Sequence, residues 1–158
     1  MQDSSENYYK EVIMVGVEID FVVPDCLEAY KLYSKVFPVE PVELTENEVG
    51  MNEAVFTIYG TRFHMLDENV PFQLIAPKPA DPKPMWVNIT VEDIEQVFNN
   101  AVEVGCTVIQ PVTENEAFGM SNAIFIDPFG YIWMLHQIYR EVSFEERLQI
   151  LEALREEG

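Results

Sequence analysis

The sequence predicts an α+β fold made from one βαβββ unit used twice. Two cap aspartates that open helical patterns, Asp25 and Asp93, lie 68 positions apart, and two turn glycines, Gly60 and Gly130, lie 70 apart. Self-similarity at a fixed offset marks a duplicated structural unit. The third observation is a hairpin signal in "IFIDPFGYIWMLHQI". Apolar residues alternate on both sides of Asp-Pro-Phe-Gly, where Pro128 fixes φ and Gly130 tolerates φ > 0, so strands are expected over 120–127 and 131–138.

In the first unit, "VEIDFVV" reads as a strand with Val17, Ile19, Phe21 and Val23 on one face and Glu18, Asp20 and Val22 on the other. Asp25 and Glu28 have capping-box spacing. They open a helix that is apolar at Leu27, Tyr30, Tyr33 and Phe37. Strands follow in "VEPVEL", "AVFTIYG" and "TRFHMLDE", and in the last Phe63 and Met65 oppose Arg62, His64 and Leu66. Five prolines in "NVPFQLIAPKPADPKP" make a stiff linker.

The second unit opens on a strand in which Met85, Val87, Ile89 and Val91 oppose Trp86, Asn88 and Thr90. Asp93 and Gln96 repeat the capping box before a helix that is apolar at Ile94, Val97, Phe98, Ala101 and Val102. Gly105 is its C′ glycine. Strands follow in "CTVIQPV", "SNAIFID" and "YIWMLHQI". In the last, Tyr131, Trp133 and Leu135 oppose Ile132, Met134 and His136. Ser143 and Glu146 then open a C-terminal helix with an apolar stripe at Phe144, Leu148, Leu151 and Leu154. The expected organisation is a flexible N-terminus over 1–12, a first module over 13–70, a linker over 71–84, a second module over 85–140 and the C-terminal helix over 141–158.

The 158 residues carry a formal net charge of −19, which argues against nucleic-acid binding and against adsorption to anionic membranes. No apolar run reaches the roughly 18 residues of a membrane span. The polar, acidic start has no signal-peptide pattern, so a cytoplasmic protein is expected. Cys26 and Cys106 lack metal-ligand spacing and are expected as reduced, partly buried thiols.

The greasier face of each sheet must meet its helix. The opposite faces mix polar residues with Leu66, Trp86, Ile132 and Met134, the composition of a concave binding surface. Trp133, on the helix side, is expected in the core. Trp86 faces the binding surface, and Asp127 is expected to cap its turn.

The paired units, the "VVPDCLEAYKLYSKVF" junction and "FIDPFGYIW" followed by "EVSFEERLQILEAL" resemble the vicinal-oxygen-chelate superfamily over about residues 13–154. This is the glyoxalase/bleomycin-resistance/dioxygenase fold, and the resemblance is greatest to its PhnB-like branch. It implies cupped sheets around a small-molecule cavity, commonly in a homodimer. It also implies, in metal-using members, one metal ligand on each of four strands.

Matched residue by residue, those positions fall here on Glu18, His64, Trp86 and Met134. Indole is no ligand and a thioether is soft, so the standard site is degenerate. A shifted set of Glu18, Asp20, His64 and His136 is the alternative for a divalent metal, in a lyase, isomerase or dioxygenase. The first reading is a metal-free cup in which Glu18, His64, Trp86, Asn88, Met134 and His136 contact a ligand. The acidic candidates favour a cationic or hydrogen-bond-donating ligand.

Overall fold

A computed structural model describes residues 11–158, so the flexible N-terminus expected over 1–12 lies outside the described residues except at its last two positions. The first unit comprises β1 (Ile19–Val23), α1 (Cys26–Val36), β2 (Val39–Leu44), β3 (Glu53–Ile58) and β4 (Thr61–Asp67). The second comprises β5 (Val87–Thr90), α2 (Ile94–Glu103), β6 (Thr107–Asn115), β7 (Met120–Ile126) and β8 (Ile132–Ile138), and α3 (Phe144–Glu156) ends the chain. Each unit folds into a four-stranded mixed sheet, in the orders β1-β4-β3-β2 and β5-β8-β7-β6. The duplicated α+β architecture read from the sequence is the one observed.

The turns form as their residues dictate. Tyr59 and Gly60 both take positive φ, 47° and 81°, and join Ile58 to its partner Thr61 in a two-residue hairpin. Gly105 ends α2 at φ 97°; its N–H donates to Val102 O while that of Cys106 reaches Ala101 O, the paired bonds of a Schellman cap. Asp25, Asp93 and Ser143 each accept a backbone N–H of the helix they precede.

The repeat extends to side chains that the sequence pattern did not single out. Asp67, at the end of β4, accepts the first helical N–H of α1 (Cys26 N, 2.7 Å). Gln137, near the end of β8, accepts the first helical N–H of α2 (Ile94 N, 3.0 Å). Each module thus uses its last strand to satisfy a helix-start amide that has no intrahelical partner.

Both sheets turn their apolar faces toward one shared core. Trp133 of β8 lies against Tyr33 and Phe37 of α1 and its C-cap (ring centroids 5.1 and 4.7 Å), and Phe37 stacks on Phe125 of β7. At the centre is the buried carboxylate of Asp127. One oxygen accepts the N–H groups of Phe129 and Tyr131 in its own turn; the other accepts Tyr33 O–H (2.5 Å) and Trp133 Nε1–H (2.8 Å). Burial pushes this carboxyl above the ordinary aspartate range, while the four donors pull the other way. Asp127 therefore caps the turn as expected and also ties the second module to α1 of the first. The Tyr131 hydroxyl adds a bond to Val22 O.

Three details differ from the sequence reading. The buried face of α1 is Cys26, Ala29, Tyr33 and Val36, with Leu27 and Tyr30 at its margin, because small residues let the helix sit close to the sheet. Val102 is exposed: it stands about 80° around α2 from Ile94, at the edge of the stripe. The strands expected to begin near Val17 and Met85 begin at Ile19 and Val87, the first residues in register with β4 and β8, opposite Phe63 and Trp133. Cys26 and Cys106 are buried free thiols, and burial raises both, Cys106 to about 12.

Tyr33→Phe should remove one bond to a buried charge and cost about 1.5–3 kcal/mol in a urea melt, with the fold retained. A second expectation concerns pH. Burial acts to raise the Asp67 carboxyl, but the N–H groups of Cys26, Asn52 and Gly50 outweigh it and hold the group below its ordinary value. A carboxyl lowered by folding stabilises fully above its unfolded pKa of about 4, and that contribution is lost as pH falls below it. Asp67→Asn also turns an amide NH2 toward at least one of the N–H donors of Cys26, Gly50 and Asn52. It should therefore cost about 2–3 kcal/mol at pH 7, with a smaller gap to wild type at pH 3, read from urea melts at both pH values.

Candidate functional site

With the apolar faces spent on the shared core, the opposite faces of both sheets point away from it. On the first sheet, parallel pairing sets Asp20 of β1 beside His64 of β4, and Glu18 lies just before β1. Glu18 is held on both oxygens: Oε2 accepts Arg62 Nε–H at 2.6 Å and Oε1 lies 2.9 Å from His64 Nδ1. Asp20 is 3.7 Å from that same nitrogen, and Glu53 of β3 is 3.5 Å from His64 Nε2. The Arg62 guanidinium foremost, then His64, lowers the Glu18 carboxyl to about 2, whereas burial, then the bond to Glu18, raises that of Asp20.

His64 Nδ1 faces only carboxylate oxygens, so it carries a proton. Nε2 is buried and has no hydrogen-bond partner. The result is an imidazole edge among three carboxylates with one site unsatisfied.

The second sheet presents another such surface. Register sets Asn88 of β5 beside Met134 of β8. His136 Nδ1 lies 2.6 Å from Asn88 Oδ1, which makes Nδ1 the donor and leaves Nε2 with a lone pair. Burial lowers the His136 pKa, favouring neutral imidazole. Asn122 of β7 stands opposite His136 and accepts from Gln110 Nε2 at 2.7 Å. Trp86, 52% exposed, precedes β5.

The candidates thus form two half-sites. Glu18, Asp20 and His64 offer ligand atoms within 4.8 Å of one another, and His136 is not in that group. Within one chain, no hydrogen bond or ion pair among the described residues links the two half-sites. Of the four standard positions, Trp86 and Met134 supply no hard donor. The reduced set of Glu18, Asp20 and His64 has suitable donors, but a cation there must share Glu18 with Arg62.

Between the exposed edges of β1 and β5 opens a cleft of about 790 Å³. Its walls are mainly apolar, including Ile19, Phe21, Tyr59, Met85, Trp86 and Val87, with Asp20 and Asn88 at the margin, and linker residues 75–77 and 81–84 contribute to it. Sequence reasoning missed this cleft, because a Pro-rich linker reads as a spacer. It placed Arg62 on the polar face without a partner, and it did not single out Glu53, Gln110 or Asn122. Those three stand at strand positions whose outward direction is legible only once neighbouring strands are in register.

Comparison with known proteins agrees with this architecture. Residues 17–135 match the Glyoxalase/Bleomycin resistance protein/Dioxygenase superfamily, and the chain belongs to that family. It is 31% identical over 131 residues to an uncharacterized protein of Mycobacterium tuberculosis strain H37Rv, covering 79% of this chain and 75% of that one. A Mycobacterium bovis protein, also uncharacterized, is 31% identical over 131 residues, covering 79% of this chain and 84% of its own length.

Solved structures share the fold. The fosfomycin resistance protein FosX of Listeria monocytogenes, complexed with Mn(II) and sulfate ion, superposes with TM-score 0.61 at 14% identity, covering 89% of this chain and 99% of that one. The PhnB protein of Bacillus cereus, described as a putative 3-demethylubiquinone-9 3-methyltransferase, gives 0.59 at 20% identity, covering 78% and 99%.

Arg62→Met should release the Glu18 carboxyl. Carboxyl-carbon NMR titration is expected to move its pKa from about 2 toward the ordinary glutamate value. An unchanged titration would show that His64 alone holds the carboxylate.

Proposed function

We propose that this chain is a metal-free, PhnB-like small-molecule-binding protein whose site is a cup shared by two copies. One copy supplies Glu18, Asp20 and His64, and the other supplies Trp86, Asn88, Met134 and His136. The observation that carries the binding reading is His64 Nε2, buried without a hydrogen-bond partner at the centre of an outward sheet face. An unsatisfied buried polar atom costs about 1–3 kcal/mol, and a ligand group that bonds to it recovers this. The surrounding carboxylates of Glu18, Asp20 and Glu53 favour a ligand with a cationic or N–H donor group. Trp86, Met134 and Ile132 supply apolar and aromatic contact, so an amphiphilic amine is the class that fits. The homodimer is supported by the outward direction of both half-sites and by the open edges of β1 and β5. We propose a cytoplasmic location, supported by two buried cysteines that form no disulfide; no helix among the described residues is long and apolar enough to cross a membrane.

A second reading is favoured by one observation, the grouping of Glu18, Asp20 and His64. In it the reduced set holds a divalent metal, which would supply Lewis-acid chemistry to a lyase, isomerase or dioxygenase. His64 and the carboxylates would orient substrate and hold its protons.

Thermal melts with Mn(II), Zn(II), Ni(II) and Fe(II), beside a panel of aromatic amines, separate the two. Ligand at about 100-fold its Kd adds about 2.7 kcal/mol, a shift of several degrees. The expected result is stabilisation by amines, lost in His64→Ala and weakened in Trp86→Ala, with no response to metals. A metal-dependent shift abolished by the Glu18→Ala/His64→Ala pair would establish the second reading instead.

A further inference from the structure

We propose that the second half-site reads an amide group. His136 Nε2 accepts the ligand's N–H while the Asn122 NH2 donates to the adjacent C=O, so the ligand is a primary amide or a lactam that carries an amine at its far end. The amine end rests on the reading above; the amide end rests on the second sheet of one chain.

Two rows of side chains cross the outward face of that sheet. Register sets Asn88, Met134, Ile124 and Gln110 side by side in one row, and Thr90, His136, Asn122 and Thr113 in the next. The outer amides of the first row reach diagonally to the inner members of the second. Asn88 Oδ1 accepts from His136 Nδ1 at 2.6 Å, and Gln110 Nε2 donates to Asn122 Oδ1 at 2.7 Å. Each bond engages one polar group of the inner residue and leaves one over: the Nε2 lone pair of His136 and the NH2 of Asn122. These two residues are directly opposite on antiparallel strands, where Cβ atoms lie about 4.5–5.5 Å apart. They are complementary neighbours, yet each is turned to its diagonal partner, and among the described residues no group engages either open atom. Both are reachable from the outward face, since the buried side-chain atom without a hydrogen-bond partner is His64 Nε2, on the other sheet.

An open acceptor beside an open donor is complementary to a ligand edge that places N–H beside C=O. Primary amides and lactams have that edge, flat and uncharged. An ester sets an oxygen lone pair against His136 Nε2, and a tertiary amide has no N–H to give. Met134 and Ile124, paired in the adjacent row, supply an apolar floor for the ring or chain that carries the amide. The acidic first half-site takes the amine, so the two ends of one ligand are read by different chemistry.

The test is calorimetric titration of the full chain with benzamide, methyl benzoate and the para-aminomethyl derivative of each, with NMR of the Asn122 NH2 and His136 ring to locate the amide. Each amide is expected to bind about tenfold tighter than its ester and to shift both signals. Asn122→Leu should erase that ratio. Asn122→Asp keeps an oxygen for Gln110 Nε2 but presents an acceptor, and should move the preference from benzamide to benzamidine; circular dichroism verifies folding of both variants. Equal binding of amide and ester by the wild type, or a ratio that Asn122→Leu leaves unchanged, would overturn the amide site and leave the amine-binding cup intact. Amide selectivity with no gain from the aminomethyl group would uphold the amide site and overturn the amine reading. Binding of no probe would overturn both.

Discussion

The Asp127 carboxylate fixes the arrangement on which the rest of the molecule depends. An ionised group in a core is tolerated only when its lone pairs are fully engaged. Here the DPFG turn supplies two donors, and Tyr33 and Trp133 supply one each. Two of these are the turn's own backbone, one is on β8, and one is on the first helix. Satisfying the charge therefore forces the second sheet to meet α1 at a particular rotation, with Trp133 against Tyr33 and Phe37. Aromatic packing adds area to this contact; the carboxylate adds direction.

The position of the chemistry follows from that docking. Once the apolar faces of both sheets share one core, strand alternation obliges Asp20 and His64 on one sheet, and Asn88, Met134 and His136 on the other, to face away from it. The two surfaces are not equivalent. The first is ionic, with three carboxylates around one imidazole and one guanidinium. The second is built from amides, a thioether and a histidine whose charged form burial disfavours. A ligand spanning such surfaces needs a charged end and a softer, apolar end.

Much of this was legible in the sequence because it rests on local signals. Cap aspartates, the C′ glycine, the turn glycines and strict alternation in β4 and β8 each predict one element and its faces, and the 68–70 residue offset joins them into two units. What escaped depends on partners distant in sequence. Nothing local says that Asp67 caps α1 or that the second oxygen of Asp127 reaches Tyr33, 94 residues away. The alternation of "VEIDFVV" began two residues before the observed strand because a pattern records which face is apolar, and not where pairing with the neighbour starts. For the site, the residue types and their outward direction were readable. Their division into two groups was not, since it follows from how the modules dock.

The linker passes over the DPFG turn closely enough that a Cβ on Gly130 would lie 3.4 Å from Pro77 O, and Ala76 N–H donates to Glu68 Oε1. The linker thus lies against both modules at neighbouring residues, and because the modules share one core, releasing one would mean undoing that core as well. Exchange of whole modules through hinge opening would consequently be slow. In the proposed two-copy assembly, the second copy would therefore associate as a preformed body, at the about 10⁵–10⁷ M⁻¹s⁻¹ typical of rigid partners, and the rate would be set by encounter and not by unfolding.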